Sequence, residues 1–96
     1  MTALGDVVLS GQLICKDAGE VGLVERYLAS HIALTRAESG CASFEVVRTS
    51  LDAMVWQVDE RFVDVDAFEA HQRRVASSEW GRVTAHIERN YTIRGA

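Results

Sequence analysis

Proline is absent from the 96 residues, and cysteine occurs only twice, at Cys15 and Cys41. Two cysteines exclude a disulfide-dense scaffold, and these two have neither metal-ligand nor redox spacing. They read as reduced thiols, which points to the cytoplasm. Basic side chains are in deficit: 10 Lys and Arg against 14 Asp and Glu give a net charge of −4. The only close basic pair is Arg73-Arg74, so no positive stripe is available for nucleic acid or an anionic membrane. No apolar run approaches the roughly 20 residues that span a bilayer. Nor does the sequence open on a basic region followed by a long apolar run. At this length a single domain over residues 1–96 is expected, with a core thin enough that a partner subunit would help it.

Hydrophobic residues nevertheless make up 48% of the chain, and their periodicity is clear. Val7 to Cys15 reads as a first strand with a glycine near its middle. Asp17 and Glu20 have the spacing of a capping box. Val21, Val24, Leu28 and Ile32 then form the apolar stripe of a first helix, which Gly40 is placed to stop. Ser43 to Thr49 alternates, Ser50 to Ala53 makes a short turn, and Met54 to Val63 alternates again, predicting an antiparallel hairpin. Asp64 or Asp66 caps a second helix with Phe68, His71 and Val75 inward. Ala76 to Ser78 breaks or kinks it, and Trp80, Val83 and Ile87 continue its apolar face. Tyr91 to Arg94 is a short last strand.

The order β-α-β-β-α-β predicts an α+β, ferredoxin-like fold, a four-stranded antiparallel sheet with two helices on one face. The covered face should carry Val7, Leu9, Leu13, Phe44, Val46, Trp56, Val58 and Phe62. The other face mixes Val8, Ile14, Val47 and Val55 with Ser10, Gln12, Glu45, Gln57 and Arg61. A face left to water alternates more cleanly. A second copy of the chain, giving a homodimer, is the expected cover.

Glu60 is the most informative residue. It shares a strand face with Trp56, Val58 and Phe62, so it is predicted to point at the helices. A carboxylate there is costly unless paired or hydrogen-bonded, and His71, on the inward stripe of the second helix, is the candidate partner. Such a pair can hold a proton near neutral pH, as a general base must. The alternative is a buried pair that only fixes the helix on the sheet. Trp56, Phe62, Phe68 and Trp80 are candidates for a flat substrate-binding slot, with ordinary core packing as the alternative. His31, beside the first helix's stripe, is placed to reach the same pocket, whereas His86 is expected to be exposed. Tyr27 and Tyr91 are possible hydroxyl donors. No pair of histidines has metal-site spacing and acidic company, so no metal is expected.

The runs Gly40-Cys-Ala-Ser-Phe44-Glu-Val46 and Glu60-Arg-Phe62-Val-Asp64-Val-Asp66-Ala-Phe68-Glu-Ala-His71, followed by a Ser-Ser-x-Trp80 segment, resemble the antibiotic biosynthesis monooxygenase family. The resemblance covers nearly the whole chain. It implies a dimeric α+β barrel with two facing sheets and a ligand pocket in each subunit between sheet and helices. It also implies cofactor-independent monooxygenase chemistry on a quinol or aromatic polyketide-like small molecule, with Glu60 and His71 supplying the base. The sequence departs from the pattern at two positions. Oxygenases of the family often carry Trp where Phe62 stands and Asn where Val58 stands. The haem-degrading members have a first-strand Asn and a second-helix Trp, where this chain has Gly11-Gln12 and His71, which points away from haem degradation. An isomerase or cyclase using the same base, and a non-enzymatic ligand-binding or stress-response protein, are the rival readings.

Overall fold

A computed structural model describes residues 5–95. The elements are β1 (Val7–Ile14), α1 (Ala18–Arg36), β2 (Cys41–Arg48), β3 (Val55–Phe62), α2 (Val65–Ala76), α3 (Glu79–Val83) and β4 (Glu88–Arg94). The strands form one antiparallel sheet in the order β2-β3-β1-β4. This is the ferredoxin-like arrangement, and the helices pack on one face of it.

Each boundary has a local cause. Asp17 caps α1 by accepting from the Glu20 amide at 2.9 Å, and Glu20 reaches back to the Lys16 amide at 2.8 Å. The first bond satisfies an orphan donor of the first turn, and the second ties down the backbone just before the cap. Of the two candidate caps for α2, Asp64 is the one used, accepting from Ala67 N at 2.7 Å. The break after Ala76 is a true restart, because Ser78 caps α3 by accepting from Gly81 N at 2.9 Å. β4 begins at Glu88, three residues before the sequence suggests, because the polar Glu88-Arg-Asn90 lie on an edge strand and show no alternation.

Close approach of neighbouring atoms requires glycine at Gly11, Gly40, Gly81 and Gly95, and the first two bear on the sheet and the site. Gly11 lies where β1 runs between β3 and β4, and a Cβ there would sit 2.0 Å from the Asn90 carbonyl oxygen. Gly40 does not stop α1, which ends at Arg36. Its role lies in the following turn: a Cβ at Gly40 would fall 2.3 Å from Cβ of Ala67 on α2. The bare backbone lets the 37–40 turn press against the start of α2.

The predicted inward face is the core. Val7, Leu9, Leu13, Phe44, Trp56, Val58 and Phe62 are buried, Val46 is half-buried, and Val21, Val24 and Leu28 cover them from α1. Glu60 and His71 are buried in the same layer. The open face carries a polar ladder, with Ser10 donating to Asp59 at 2.9 Å and Gln12 to Gln57 at 3.5 Å. Beside it Val47 is 58% exposed. Among the described residues no helix is long and apolar enough to cross a membrane.

Candidate active site

A cleft of about 390 Å³ opens between the sheet and the helices. Its apolar walls come from Leu9 and Leu13 of β1, Val46 of β2, Val58 of β3 and Val75 of α2. Its polar groups are Glu60, His71, Gln72, His31, Arg89 and Tyr91, with Trp80 forming part of the wall. A mostly apolar cleft with a few convergent polar groups is the usual make-up of a small-molecule site.

Alternation on β3 turns Glu60 inward, opposite Leu9 on one side and Phe44 on the other. The α2 stripe turns His71 down onto it. His71 Nε2 lies 3.7 Å from Glu60 Oε1, within ion-pair reach but beyond a hydrogen bond. The other ring nitrogen is tightly held. Glu38, in the turn after α1, accepts from His71 Nδ1 at 2.7 Å. Glu38 in turn receives Arg74 Nε at 2.9 Å, and Arg74 Nη2 donates to Thr35 Oγ1 at 3.0 Å. A carboxylate can only accept, so Nδ1 carries the hydrogen and the Nε2 lone pair faces Glu60 and the cleft. The imidazole thus lies between two carboxylates, one bonded and one slightly withdrawn.

Burial sets the charge states. It pushes the Glu60 carboxyl up to about 7, Glu38's charge adds to this, and Arg89 opposes it. Burial lowers His71, while the bond to Glu38 pulls the other way. His31 falls to about 3 through burial and the nearby positive charges, so its ring is neutral. That ring stacks on Trp80 at 4.6 Å and 6° and meets Phe44 edge-on at 5.2 Å. Tyr91 is pushed up to about 12 by burial, so its phenol keeps its proton. Both thiols are raised by burial, which leaves them unreactive.

Glu60 yields a stability prediction. In the unfolded chain it ionises near 4.5, in the folded one near 7. Between these values the unfolded state gives up its proton first, so stability falls as pH rises and levels off above 7. The full penalty is on the order of 3 kcal/mol. Glu60→Gln removes it. The melting temperature of the variant should exceed that of the parent by a margin that widens from pH 5 to pH 8. An equal margin at both pH values contradicts the burial of an ionising carboxyl here.

The cleft thus brings together Glu60, His71, His31 and Trp80 of the residues singled out in the sequence. Trp56, Phe62 and Phe68 do not line it. Phe62 and Phe68 pack edge-on at 5.7 Å behind His71, whose ring lies 4.7 Å from Phe62, so they shape the back of the site. Trp56 pairs with Leu13 toward the other end of β3, and Arg48 lies over its ring. Residues sharing a strand face need not share a cavity, since the helices cover that face unevenly. His86 is exposed, with Nε2 3.3 Å from Glu20, and Tyr27 lies outside the cleft. Glu38, Arg74 and Arg89 carried no signal in the sequence. Glu38 sits in a turn, outside any periodic pattern, and reaches His71 only because Gly40 lets that turn close on α2. Among the described residues, no group of three or more His, Cys, Asp or Glu is placed to hold a metal ion.

Comparison with known proteins gives a consistent family. The model of the antibiotic biosynthesis monooxygenase family matches residues 16–82. No curated protein matches by sequence. Among solved structures, a candidate antibiotic biosynthesis monooxygenase from Nitrosomonas europaea superposes with a TM-score of 0.81 at 15% identity, covering 95% of this chain and 89% of that one. One of the same description from Deinococcus radiodurans gives 0.79 at 18%, covering 94% and 91%. SnoaB, a cofactor-independent oxygenase from Streptomyces nogalater, gives 0.78 at 13%, covering 96% and 93%. At these identities the likeness is one of fold.

Proposed function

The chain belongs to the antibiotic biosynthesis monooxygenase family, and from that premise we propose that it is a cofactor-independent monooxygenase acting on a quinol or aromatic polyketide-like phenol bound in the cleft. The observation that carries this reading is the His71 ring held between Glu38 and Glu60 under an apolar roof. A phenol is hard to oxidise and a phenolate is easy, so the protein's task is to take one proton in a dry, oriented setting. The phenolic proton passes to His71 Nε2. The imidazolium so formed is stabilised by Glu38 and by ionised Glu60, and the proton is shared within the pair. The electron-rich ring then gives an electron to dioxygen, a carbon–oxygen bond forms, and loss of water from the hydroperoxide leaves the oxidised ring. For a hydroquinone the balance is quinol plus dioxygen to hydroxyquinone plus water. The substrate is the only reductant.

Oxygen consumption with a panel of hydroquinones and phenols tests this. Uptake with one oxygen per substrate and a quinone product supports it. Because ionised Glu60 is needed and its carboxyl titrates near 7, kcat/KM should climb as pH rises through about 7 and then flatten. Turnover without oxygen uptake overturns the oxygenase reading in favour of an isomerase or cyclase using the same base. Binding without turnover points to a ligand-binding protein.

The protein is further read as a homodimer, supported by the exposed Val47 beside half-buried Val8, Ile14 and Val55 on the open sheet face, and as cytoplasmic, a reading supported by its two free thiols. Sedimentation should give twice the chain mass of 10.6 kDa. A species of single-chain mass contradicts it.

A further inference from the structure

The guanidinium of Arg89 enters the cleft from β4 and is fixed by three hydrogen bonds, all to neutral oxygens. Nη1 donates to the carbonyls of Thr84 at 2.7 Å and Ile87 at 3.0 Å, and Nη2 donates to the Thr84 hydroxyl at 2.8 Å. Thr84 is fully buried, and its own hydroxyl donates to the Trp80 carbonyl at 2.6 Å. The cation is therefore positioned by the segment that closes α3. Arg36, Arg48, Arg61, Arg74 and Arg82 each face a carboxylate. Among the described residues Arg26, Arg73, Arg89 and Arg94 have no carboxylate within ion-pair distance, and of these four it is Arg89, an exposed residue on the edge strand, that lines the cleft. A cation held in a fixed orientation, lining a cleft and left without a counter-charge, is suited to an anion.

Two further groups point to a polar ligand. Glu60 Oε1 and His31 Nδ1 belong to side chains that line the cleft, 8% and 5% exposed, and both atoms are buried without a hydrogen-bond partner among the described residues. Such atoms cost free energy unless something bonds to them. The sheet register sets the spacing. Glu60 pairs with Leu9 of β1 and Arg89 with Leu13, on the far side of β1. Their backbones lie two strand spacings apart, roughly 10 Å, and four residues apart along β1, roughly 13 Å. The stacked His31 and Trp80 rings supply a flat wall on the same cleft.

We propose that Arg89 is an anion subsite and that the substrate is an elongated aromatic carrying a phenol at the Glu60–His71 end and a carboxylate at the other. This rests on the reading of the cleft as a phenol site and adds the acid group to it. A single guanidinium across from an acidic side chain fits a monoanion better than a dianionic phosphate.

The test is calorimetric binding under nitrogen with two probes of the same shape, 6-hydroxy-2-naphthoate and its neutral carboxamide. The naphthoate should bind the parent protein at least about tenfold tighter, as one charge-assisted contact allows. Arg89→Gln should bring the ratio of the two affinities close to one by weakening naphthoate binding far more than carboxamide binding, and Arg89→Lys, which keeps the charge without the fork, should retain part of the preference. Equal affinities in the parent, failure of both probes to bind, or a preference that survives in R89Q overturns the proposal. If R89Q does not fold, the ratio in the parent and its reduction in R89K still decide. A preference that follows Arg89, with no oxygen uptake on any phenol, leaves the anion subsite standing and removes the oxygenase. Oxygen uptake on phenols with no carboxylate preference does the reverse.

Discussion

His71→Ala should lower the rate of oxygen consumption by about 10²–10⁴-fold, the usual worth of a positioned general base. The ring is 2% exposed and lies between Glu38 and Glu60. Alanine removes the ring that joins Glu60 to Glu38, and Glu60 is left to take the phenolic proton with no imidazole to share it. The substitution also leaves two carboxylates facing a cavity, so melting temperature must be measured alongside. His71→Asn keeps a polar side chain in place and separates the two effects. A folded H71N protein with turnover near that of the parent assigns the pair a structural role only. Loss of turnover in a folded variant is what base catalysis requires.

Glu38→Gln should lower kcat by about 10²-fold with little change in KM. Glu38 does not itself line the cleft and acts through the ring it orients. A carboxylate at 2.7 Å from Nδ1 admits one tautomer, the one that leaves Nε2 free. An amide admits the opposite one, because its NH2 can donate to a bare Nδ1. The pH profile carries a second signature. Glu38's charge is one cause of the raised Glu60 carboxyl, so its removal should move the rising limb of kcat/KM below 7 while the plateau falls. A purely structural Glu38 would weaken the fold through Arg74 and Thr35 and leave the position of that limb unchanged.

The sheet face, both helices and the hairpin were readable because each rests on a period: two for β1, β2 and β3, and three or four for α1 and α2. The same logic turned Glu60 and His71 toward each other before any coordinates. It could not separate cavity from core. Phe62 and Phe68 sit on the predicted faces yet pack behind His71, since which part of the sheet the helices leave open depends on their placement. Arg89 was hidden on an edge strand whose exposed residues follow no alternation. Glu38 was hidden in a turn, and its part in the site depends on a contact between backbone at Gly40 and a methyl group at Ala67. No local pattern encodes that long-range approach.

The ionisation of a bound phenol tests proton abstraction directly, without oxygen. With 6-hydroxy-2-naphthamide bound under nitrogen, the absorbance of its phenolate can be followed against pH. The bound phenol should titrate at least one unit below the value of the same probe free in buffer, and His71→Asn should restore the free value. A bound phenol that titrates at its free value in the parent protein, or a shift that persists without His71, contradicts the assignment of this cleft to proton transfer.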